Sequence, residues 1–261
     1  MPEETKTLAS SAVIIYNYVE IKSFCVHEDM IMLETLPPWE ILLKKIVWTQ
    51  LGDLQGLRIL DFGSGLGVTA DHYAQSNDVI AIEPSVQNVE ARWSNNTYQQ
   101  FCGSTDVLRQ LPSNSFDMVL CHNVLEYAPD REEIVKEFCR ILKSDGTLSV
   151  VKHNRAGRVM QMVVLLNEFE RANNLLDGKD DVASKYGTIH YYDDSDITKW
   201  CTDFSIQKIY GIRTFWDLQQ NQESHTDPQW RDKMIAMEQR VSEIDEYRNI
   251  AFFHHLIIKK K

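Results

Sequence analysis

The chain has 261 residues, of which 43% are hydrophobic and 25% are charged, a composition typical of a globular protein. Its net charge of −11 at pH 7 gives it no general attraction to nucleic acids or anionic membranes, although a local basic patch is compatible with that charge. No signal peptide is recognisable, and no apolar run approaches the roughly 18 residues needed to cross a bilayer. We therefore predict a cytoplasmic protein that is not embedded in a membrane.

The cysteines give no indication of a metal site. None of the five stands in a CxxC pair. Cys102, Cys121 and Cys139 lie in apolar runs and are predicted to be small buried side chains. We therefore predict that the protein holds no metal.

Residues 1–56 precede the first regular strand and are predicted to form a helical N-terminal cap. The pair Pro37-Pro38 interrupts this segment. Apolar residues then recur at helical spacing, which predicts an amphipathic helix over residues 39–48.

From residue 57 onward, predicted strands alternate with predicted helices. The strands are Leu57–Phe62, Asp78–Glu83, Tyr98–Cys102, Phe116–Cys121 and Thr147–Lys152, and the helices are Val68–Gln75, Ser85–Trp93 and Glu132–Leu142. Parallel strands need helical crossovers and are buried on both faces. The alternation and the nearly continuous apolar strands therefore indicate an α/β fold with a mainly parallel sheet.

The pattern after residue 153 is less regular. It predicts helices at Val159–Asn173 and Asp193–Thr202, a mobile loop at 177–188, and two late strands at Phe204–Phe215 and Ile250–Lys259, separated by a helical segment near 228–247. The late strands predict an antiparallel pair that completes the sheet. The predicted domain thus spans 57–261, with helical inserts at about 155–203 and 216–247.

A glycine-rich turn, Asp61-x-Gly63-x-Gly65-x-Gly67, follows the first strand and begins a helix. Glycines let the backbone turn tightly and let a ligand approach its N–H groups at the carboxyl end of a strand. A nicotinamide-binding turn has the spacing G-x-G-x-x-G and contacts a pyrophosphate, which Asp61 would repel. The acid suits the cationic end of S-adenosylmethionine instead. The alternative is a glycine turn without a ligand.

Four segments resemble the successive motifs of class I S-adenosylmethionine-dependent methyltransferases: LRILDFGSGLG, VIAIEPS, LPSNSFDMVLCHNVLEYAPD and ILKSDGTLSVV, within residues 57–152. The resemblance implies a Rossmann-like fold with a seven-stranded, mainly parallel sheet whose last strand is antiparallel. It also implies that the cofactor is bound by Asp61, Gly63, Ser64, Gly65, Glu83, Ser104, Thr105 and His122. In this set Glu83 holds the ribose hydroxyls, and Ser104 and Thr105 flank the adenine.

A narrower resemblance extends over nearly the whole chain. The segments HNVLEY at 122–127, NxxG at 154–157 and GIRTFxD at 211–217 are similar to bacterial tRNA methyltransferases that esterify 5-carboxymethoxyuridine at the wobble position. This implies tRNA as the methyl acceptor. That family places a cofactor-contacting arginine near Leu43, where this chain has Leu43 with Lys44 and Lys45 beside it.

Three residues are candidates for contact with the acceptor. His122 follows the fourth strand and is expected to orient a ligand, although a histidine satisfied at a strand end is the simpler alternative. His153 ends the fifth strand, where it has a site role or caps the loop with Asn154. Arg213 lies in an apolar strand and needs a buried partner or a ligand. It binds a substrate carboxylate bidentately, or it pairs with Asp217 or Glu238.

The predicted function is methylation of a carboxylate or hydroxyl oxygen, with the tRNA wobble nucleoside as the specific form. A carboxylate nucleophile needs no general base, whereas a hydroxyl usually does. Two alternatives stay open: a small-molecule methyltransferase, and a module that binds S-adenosylmethionine without catalysis. The aromatic residues Trp39, Trp48, Trp200 and Trp216 stack on a nucleobase or belong to the core. The sequence does not indicate the oligomeric state.

Overall fold

The computed structural model of the chain describes residues 15–16, 33–183 and 187–261. Residues 1–14 and 17–32 of the predicted cap, with Cys25 among them, lie outside the described residues. So do residues 184–186 of the predicted mobile loop. The boundary between cap and domain at residue 56 stays a prediction.

The described strands form one large sheet and one small one. The strands are β1 (Ile15–Tyr16), β2 (Arg58–Phe62), β3 (Asp78–Glu83), β4 (Gln99–Cys102), β5 (Phe116–His122), β6 (Leu142–His153), β7 (Asp181–Ala183), β8 (Gly187–Ile189), β9 (Phe204–Ile212) and β10 (Phe253–Lys260). The large sheet has the order β1-β4-β3-β2-β5-β6-β10-β9, and β7 pairs with β8. Strands β2 to β6 are parallel, whereas β10 is antiparallel to both β6 and β9. The predicted seven-stranded sheet is confirmed, and β1 adds a two-residue antiparallel edge.

Helices cover both faces of the sheet. They are α1 (Pro38–Leu51), α2 (Val68–Ala74), α3 (Val86–Glu90), α4 (Thr105–Leu108), α5 (Arg131–Ile141), α6 (Arg155–Gln161), α7 (Phe169–Leu176), α8 (Asp196–Trp200), α9 (Pro228–Val241) and α10 (Asp245–Arg248). Proline opens α1 at a position where the missing N–H costs no hydrogen bond. Within the part of the chain that the structure describes, no helix is both long and apolar enough to cross a membrane.

The two faces of the sheet carry separate apolar clusters because neighbouring residues of a strand point in opposite directions. On one face, Ile46 of α1 packs in a cluster with Val151 of β6 and Phe253 of β10. On the other face, Phe138 of α5 packs against Phe62 of β2, with ring centroids 5.2 Å apart. Helix α1 therefore packs on the face of the sheet toward which the odd-numbered side chains of β6 point.

Two predictions after residue 153 are wrong. The helix predicted at Val159–Asn173 is interrupted: α6 continues into a π-helix at Met162–Leu166, and α7 begins only at Phe169. Asn167 ends the π-helix with φ 56°, a left-handed conformation that asparagine tolerates better than most residues. The described part of the predicted mobile loop contains strands β7 and β8, which pair antiparallel.

A buried carboxylate fixes the turn that follows β9. Glu238 of α9 is fully buried, and its Oε2 accepts the Thr214 N–H at 2.7 Å. Its Oε1 accepts the N–H groups of Phe215 at 2.8 Å and Trp216 at 3.0 Å. Burial raises the pKa of Glu238, while the three N–H groups act in the opposite direction. Glu238 thus binds backbone and does not pair with the Arg213 side chain.

We expect Glu238→Leu to lower the free energy of unfolding by about 3 to 5 kcal/mol, because three buried N–H groups lose their acceptor. Glu238→Gln keeps one acceptor oxygen and should cost less. Urea denaturation measures both changes. Met237→Leu at the exposed neighbouring position is the control. A Glu238→Leu variant as stable as this control would contradict the assignment.

Candidate active site at the carboxyl edge of the sheet

The three glycines of the turn after β2 all have left-handed backbone conformations, with φ 74° at Gly63, 57° at Gly65 and 72° at Gly67. A side chain at Gly63 would clash with Val124, and one at Gly67 would clash with the Tyr98 hydroxyl. At Gly65 nothing lies within 4 Å of where a Cβ would stand. Two of the glycines are therefore required by protein packing, and the third leaves an open face that a ligand can approach.

Asp61 lies buried beneath this turn, with 4% of its surface exposed. Its Oδ2 is buried and has no hydrogen-bond partner among the described residues. Burial raises the pKa of Asp61 to about 6, the Lys44 ammonium and the Ala70 N–H oppose this rise, and the Glu83 carboxylate adds to it. A carboxylate this short of partners is stabilised by a cationic ligand.

Glu83, at the end of β3, braces the glycine turn. Its Oε2 accepts the Gly65 N–H at 2.9 Å. Its Oε1 accepts the Ser85 N–H at 3.1 Å and the Asn88 side-chain amide at 3.0 Å. Sequence reasoning missed Asn88, although a polar residue in the helix that follows Glu83 is a signal that could have found it.

The hydroxyl groups after β4 are engaged in different ways. The Thr105 side chain is buried and donates to Asp130 Oδ2 at 2.6 Å, which joins the start of α4 to the residue before α5. The Ser104 N–H donates to Asp106 Oδ1 at 2.9 Å, a contact that sequence reasoning did not anticipate. The Ser104 side chain stays half-exposed. Contact of Ser104 and Thr105 with an adenine stays a prediction.

His122 ends β5 next to the glycine turn. Its Nε2 lies 2.8 Å from Ser149 Oγ. His122 is half-buried, and no hydrogen bond joins its Nδ1 to another described residue. Burial lowers the pKa of His122 well below its usual value, and the neighbouring His255 and Lys44 lower it further. The imidazole is therefore neutral at pH 7 and acts as a hydrogen-bonding group rather than a strong base.

His153 ends β6 at the same edge. Its Nε2 lies 3.2 Å from the Tyr127 hydroxyl, and its backbone N–H donates to Glu126 Oε1 at 2.6 Å. Its Nδ1 is buried without a partner among the described residues. Burial lowers the pKa of His153 to about 3, and the charges of Arg213 and Arg158 contribute. This histidine is also neutral and weakly basic.

Arg213 follows β9 with φ 63°, a strained conformation for a residue other than glycine. Its Nε donates to Asp217 Oδ2 at 2.8 Å, and its Nη2 contacts the other oxygen of the same carboxylate. The guanidinium also lies 4.7 Å from the centre of the Phe252 ring. The structure thus shows the alternative in which Arg213 pairs with Asp217, and this pairing occupies the fork that would bind a substrate carboxylate.

A pocket of about 360 Å³ lies beside this ion pair, between α1 and the inserts. Trp39, with 40% of its surface exposed, lines the pocket. Trp216 is buried and stacked on His225 at 4.0 Å, and Trp48 is stacked on His72 at 3.7 Å. Trp39 and Trp216 both line the pocket, and Trp39 is the exposed one of the two, with the Arg213 guanidinium 5.6 Å from the centre of its ring.

The cysteines differ in part from their prediction. Cys121 and Cys139 are buried as predicted, but Cys102 is half-exposed. The structure also brings ligand atoms of Cys139, Cys201 and Asp203 within 4.8 Å of one another. Burial raises the pKa of the Cys139 thiol to about 12, which opposes the ionisation that metal binding needs. The absence of a metal stays a prediction.

The residues at the glycine turn fit S-adenosylmethionine. The open face at Gly65 lets a ligand approach, and the buried Ser64 Oγ has no partner among the described residues. The unpartnered Asp61 Oδ2 gives a negative charge for the cationic end of the cofactor. Glu83, at the adjacent strand end, has its carboxylate in contact with the turn.

We expect Gly65→Ala to weaken binding of S-adenosylmethionine at least about tenfold, because the methyl group fills the open face of the turn. Gly52→Ala is the matched control. Gly52 also has a positive φ, 73°, and open space at its Cβ, but it ends α1 away from the turn. Both variants should lose about 1 kcal/mol of stability. Calorimetry showing equal affinities for the two variants would contradict the site.

We expect Asp61→Asn to stabilise the cofactor-free protein at pH 7.5 while weakening cofactor binding. Its carboxyl ionises near pH 6 in the folded state, against 3.8 as the ordinary value. Ionisation of this carboxyl therefore lowers the free energy of unfolding as the pH rises from about 4 to above 6. The full loss above pH 6 is about 3 kcal/mol. Near pH 4 the variant should gain little.

Urea denaturation at both pH values and calorimetry with the cofactor measure these effects for Asp61→Asn. The exposed Asp53→Asn substitution is the control. Equal gains in stability at the two pH values would show that burial of the charge is not the cause.

The chain is similar to methyltransferases of two kinds. It is 25% identical over 237 residues to the tRNA 5-carboxymethoxyuridine methyltransferase of Escherichia coli K12, which covers 84% of this chain and 88% of that protein. It is 25% identical over 182 residues to the ubiquinone biosynthesis O-methyltransferase of Glaesserella parasuis, which covers 62% of this chain and 74% of that protein.

The fold is shared with solved methyltransferases. An S-adenosylmethionine-dependent methyltransferase from Mesorhizobium loti superimposes with a TM-score of 0.51 at 14% identity, over 87% of this chain and all of that one. One from Methanosarcina mazei gives 0.51 at 15% identity, over 82% and 96%. Residues 60–150 match the family described as "Methyltransferase domain". Residues 60–150 therefore match a methyltransferase domain, the motifs and fold are those of class I S-adenosylmethionine-dependent methyltransferases, and the residues at the glycine turn fit S-adenosylmethionine as the cofactor.

Proposed function

We propose that this methyltransferase forms a methyl ester on a carboxylate, and that 5-carboxymethoxyuridine at the wobble position of tRNA is the acceptor. The observation that carries the proposal is the weak basicity of His122 and His153, the two histidines at the carboxyl edge of the sheet. Burial holds the pKa of His153 near 3 and that of His122 well below its usual value. A carboxylate is already ionised at neutral pH and needs no base, whereas a hydroxyl must lose a proton.

The residues of the edge bind and orient in this proposal. The glycine turn and Glu83 hold the adenosine, and Asp61 balances the positive end of the cofactor. Bound S-adenosylmethionine supplies a methyl group on a sulfonium, which is already activated for displacement. The chain then has to align the acceptor oxygen with that methyl and exclude water, for which we assign His122 and His153. Arg213 supports this arrangement through its pair with Asp217 and does not hold the acceptor itself.

Two observations support tRNA as the carrier of the carboxylate. Likeness to the tRNA-modifying relative extends over 84% of the chain, compared with 62% for the ubiquinone relative. Trp39 is exposed and lines the pocket beside Arg213, and an exposed tryptophan suits stacking with a nucleobase. The net charge of −11 requires that any RNA contact rest on a local patch of cations.

A hydroxyl group of a small molecule is the second candidate acceptor. It is supported by likeness to the ubiquinone biosynthesis enzyme and by the acidic net charge. The engagement of Arg213 by Asp217 also supports it, because a substrate carboxylate then lacks the predicted arginine. Binding of the cofactor without catalysis is the remaining alternative.

Stability of the product to alkali separates these candidates. The purified protein is incubated with methyl-labelled S-adenosylmethionine and with tRNA that carries unmethylated 5-carboxymethoxyuridine, and separately with a panel of phenols. A methyl ester releases its label as methanol in dilute alkali, whereas an aryl methyl ether does not. We expect label in tRNA that alkali releases, and Gly65→Ala as the cofactor-site control should give markedly less of it when the cofactor is not saturating.

Each other outcome decides against the proposal. Alkali-stable label on a phenol, with none in tRNA, establishes the second candidate. No transfer to any acceptor, including an extract of cells that lack the protein, while calorimetry shows bound cofactor, establishes binding without catalysis.

A further inference from the structure

A chain of hydrogen bonds connects His122 to the N-terminal helix. His122 Nε2 lies 2.8 Å from Ser149 Oγ, which lies 2.8 Å from His255 Nε2. His255 Nδ1 in turn lies 2.7 Å from Oε1 of Gln50, in the last turn of α1. Ser149 and His255 are completely buried. Ser149, His255 and Gln50 are not among the residues predicted to bind the cofactor, so this series of hydrogen bonds needs its own explanation.

The proton positions along this chain depend on one another. Both histidines are neutral, since burial lowers the pKa of His255 to about 3 and that of His122 well below its usual value. A neutral imidazole has one N–H and one lone pair, and a serine hydroxyl donates one hydrogen bond. Fixing the donor at either end therefore fixes the tautomer of both histidines. It also fixes whether His122 Nδ1 carries a proton and donates, or carries a lone pair and accepts.

The Gln50 amide decides the direction. With Oε1 facing His255, each donor points toward α1, and His122 Nδ1 is left with a lone pair. In this orientation the Gln50 NH₂ group is buried without a partner among the described residues. A half-turn of the amide gives that NH₂ group His255 Nδ1 as its acceptor. Every hydrogen bond then reverses, and His122 Nδ1 carries the proton.

We propose that Gln50, His255 and Ser149 are positioning residues that set the tautomer of His122. When a carboxylate acceptor is bound, each of these hydrogen bonds is donated in the direction from Gln50 toward His122. This inference rests on the proposed function, because only an anionic acceptor requires a donor at His122 Nδ1. The charge of the Lys44 ammonium acts on His122 and adds positive potential there. Each group keeps its number of protons, so the reversal requires no net charge in the buried region.

Matched variants at Gln50 separate the two directions. Gln50→Lys can only donate to His255, whereas Gln50→Met has similar length and makes no hydrogen bond. We expect Gln50→Lys to keep kcat/KM for tRNA within about threefold of the wild type. We expect Gln50→Met and Ser149→Ala to lower it about tenfold or more, the loss that follows from a missing hydrogen bond to a charged group.

Nitrogen-15 NMR of the histidine rings gives a readout that a purely structural role would not move. The probe is the nucleoside 5-carboxymethoxyuridine with S-adenosylhomocysteine, and His122→Gln identifies the His122 signal. We expect the proton on Nδ1 of His122 in the wild type and in Gln50→Lys, and a mixture of tautomers in Gln50→Met. Thermal unfolding shows whether each variant is folded. Gln55→Met, at an exposed glutamine after α1, is the control for substitution itself.

The outcomes distinguish this inference from the proposed function. A proton on Nε2 of His122 in the probe complex, or equal kinetics for Gln50→Lys and Gln50→Met, refutes control of the His122 tautomer by Gln50, even if tRNA is methylated. If tRNA receives no alkali-labile methyl group while the nucleoside complex shows the expected tautomers, the proposed acceptor is wrong and control of the tautomer stands.

Discussion

The parallel direction of five strands is the constraint on which the site depends. Because β2 to β6 all run the same way, their carboxyl ends meet at one edge of the sheet. That edge receives Asp61 from β2, Glu83 from β3, His122 from β5 and His153 from β6. Residues separated by more than 90 positions, such as Asp61 and His153, thus lie at the same edge of the sheet.

Burial at this edge determines the chemistry that is available. Three buried polar atoms at this edge have no hydrogen-bond partner among the described residues: Asp61 Oδ2, Ser64 Oγ and His153 Nδ1. Each is costly to bury, and a bound ligand that satisfies it recovers part of that cost. The same desolvation raises the pKa of Asp61 and lowers that of His153. The edge therefore offers a negative charge for a cationic ligand at Asp61, and its two histidines are weak bases, which suits transfer to an acceptor that is already ionised.

Local sequence signals predicted what depends on neighbouring residues. The glycine spacing, the strand ends and the order of elements through β6 follow from short motifs, and the Arg213–Asp217 pair is four residues apart. The tertiary contacts had no such signal. Ser149 and His255 are 106 residues apart, and Glu238 accepts N–H groups more than 20 residues away. The break at Asn167 was also hidden, because an apolar run continues the helical pattern through the π-helix.

The antiparallel strand β10 makes contacts between residues that are far apart in the sequence. Strand β10 lies between β6 and β9, and its adjacent residues point to opposite faces. His255 reaches Ser149 on the face of α1, whereas His254 Nδ1 lies 2.8 Å from Asp194 Oδ2 on the other face. The two histidines therefore cannot share one metal. One inserted strand instead links the acceptor edge to the N-terminal helix on one side and to the segment before α8 on the other.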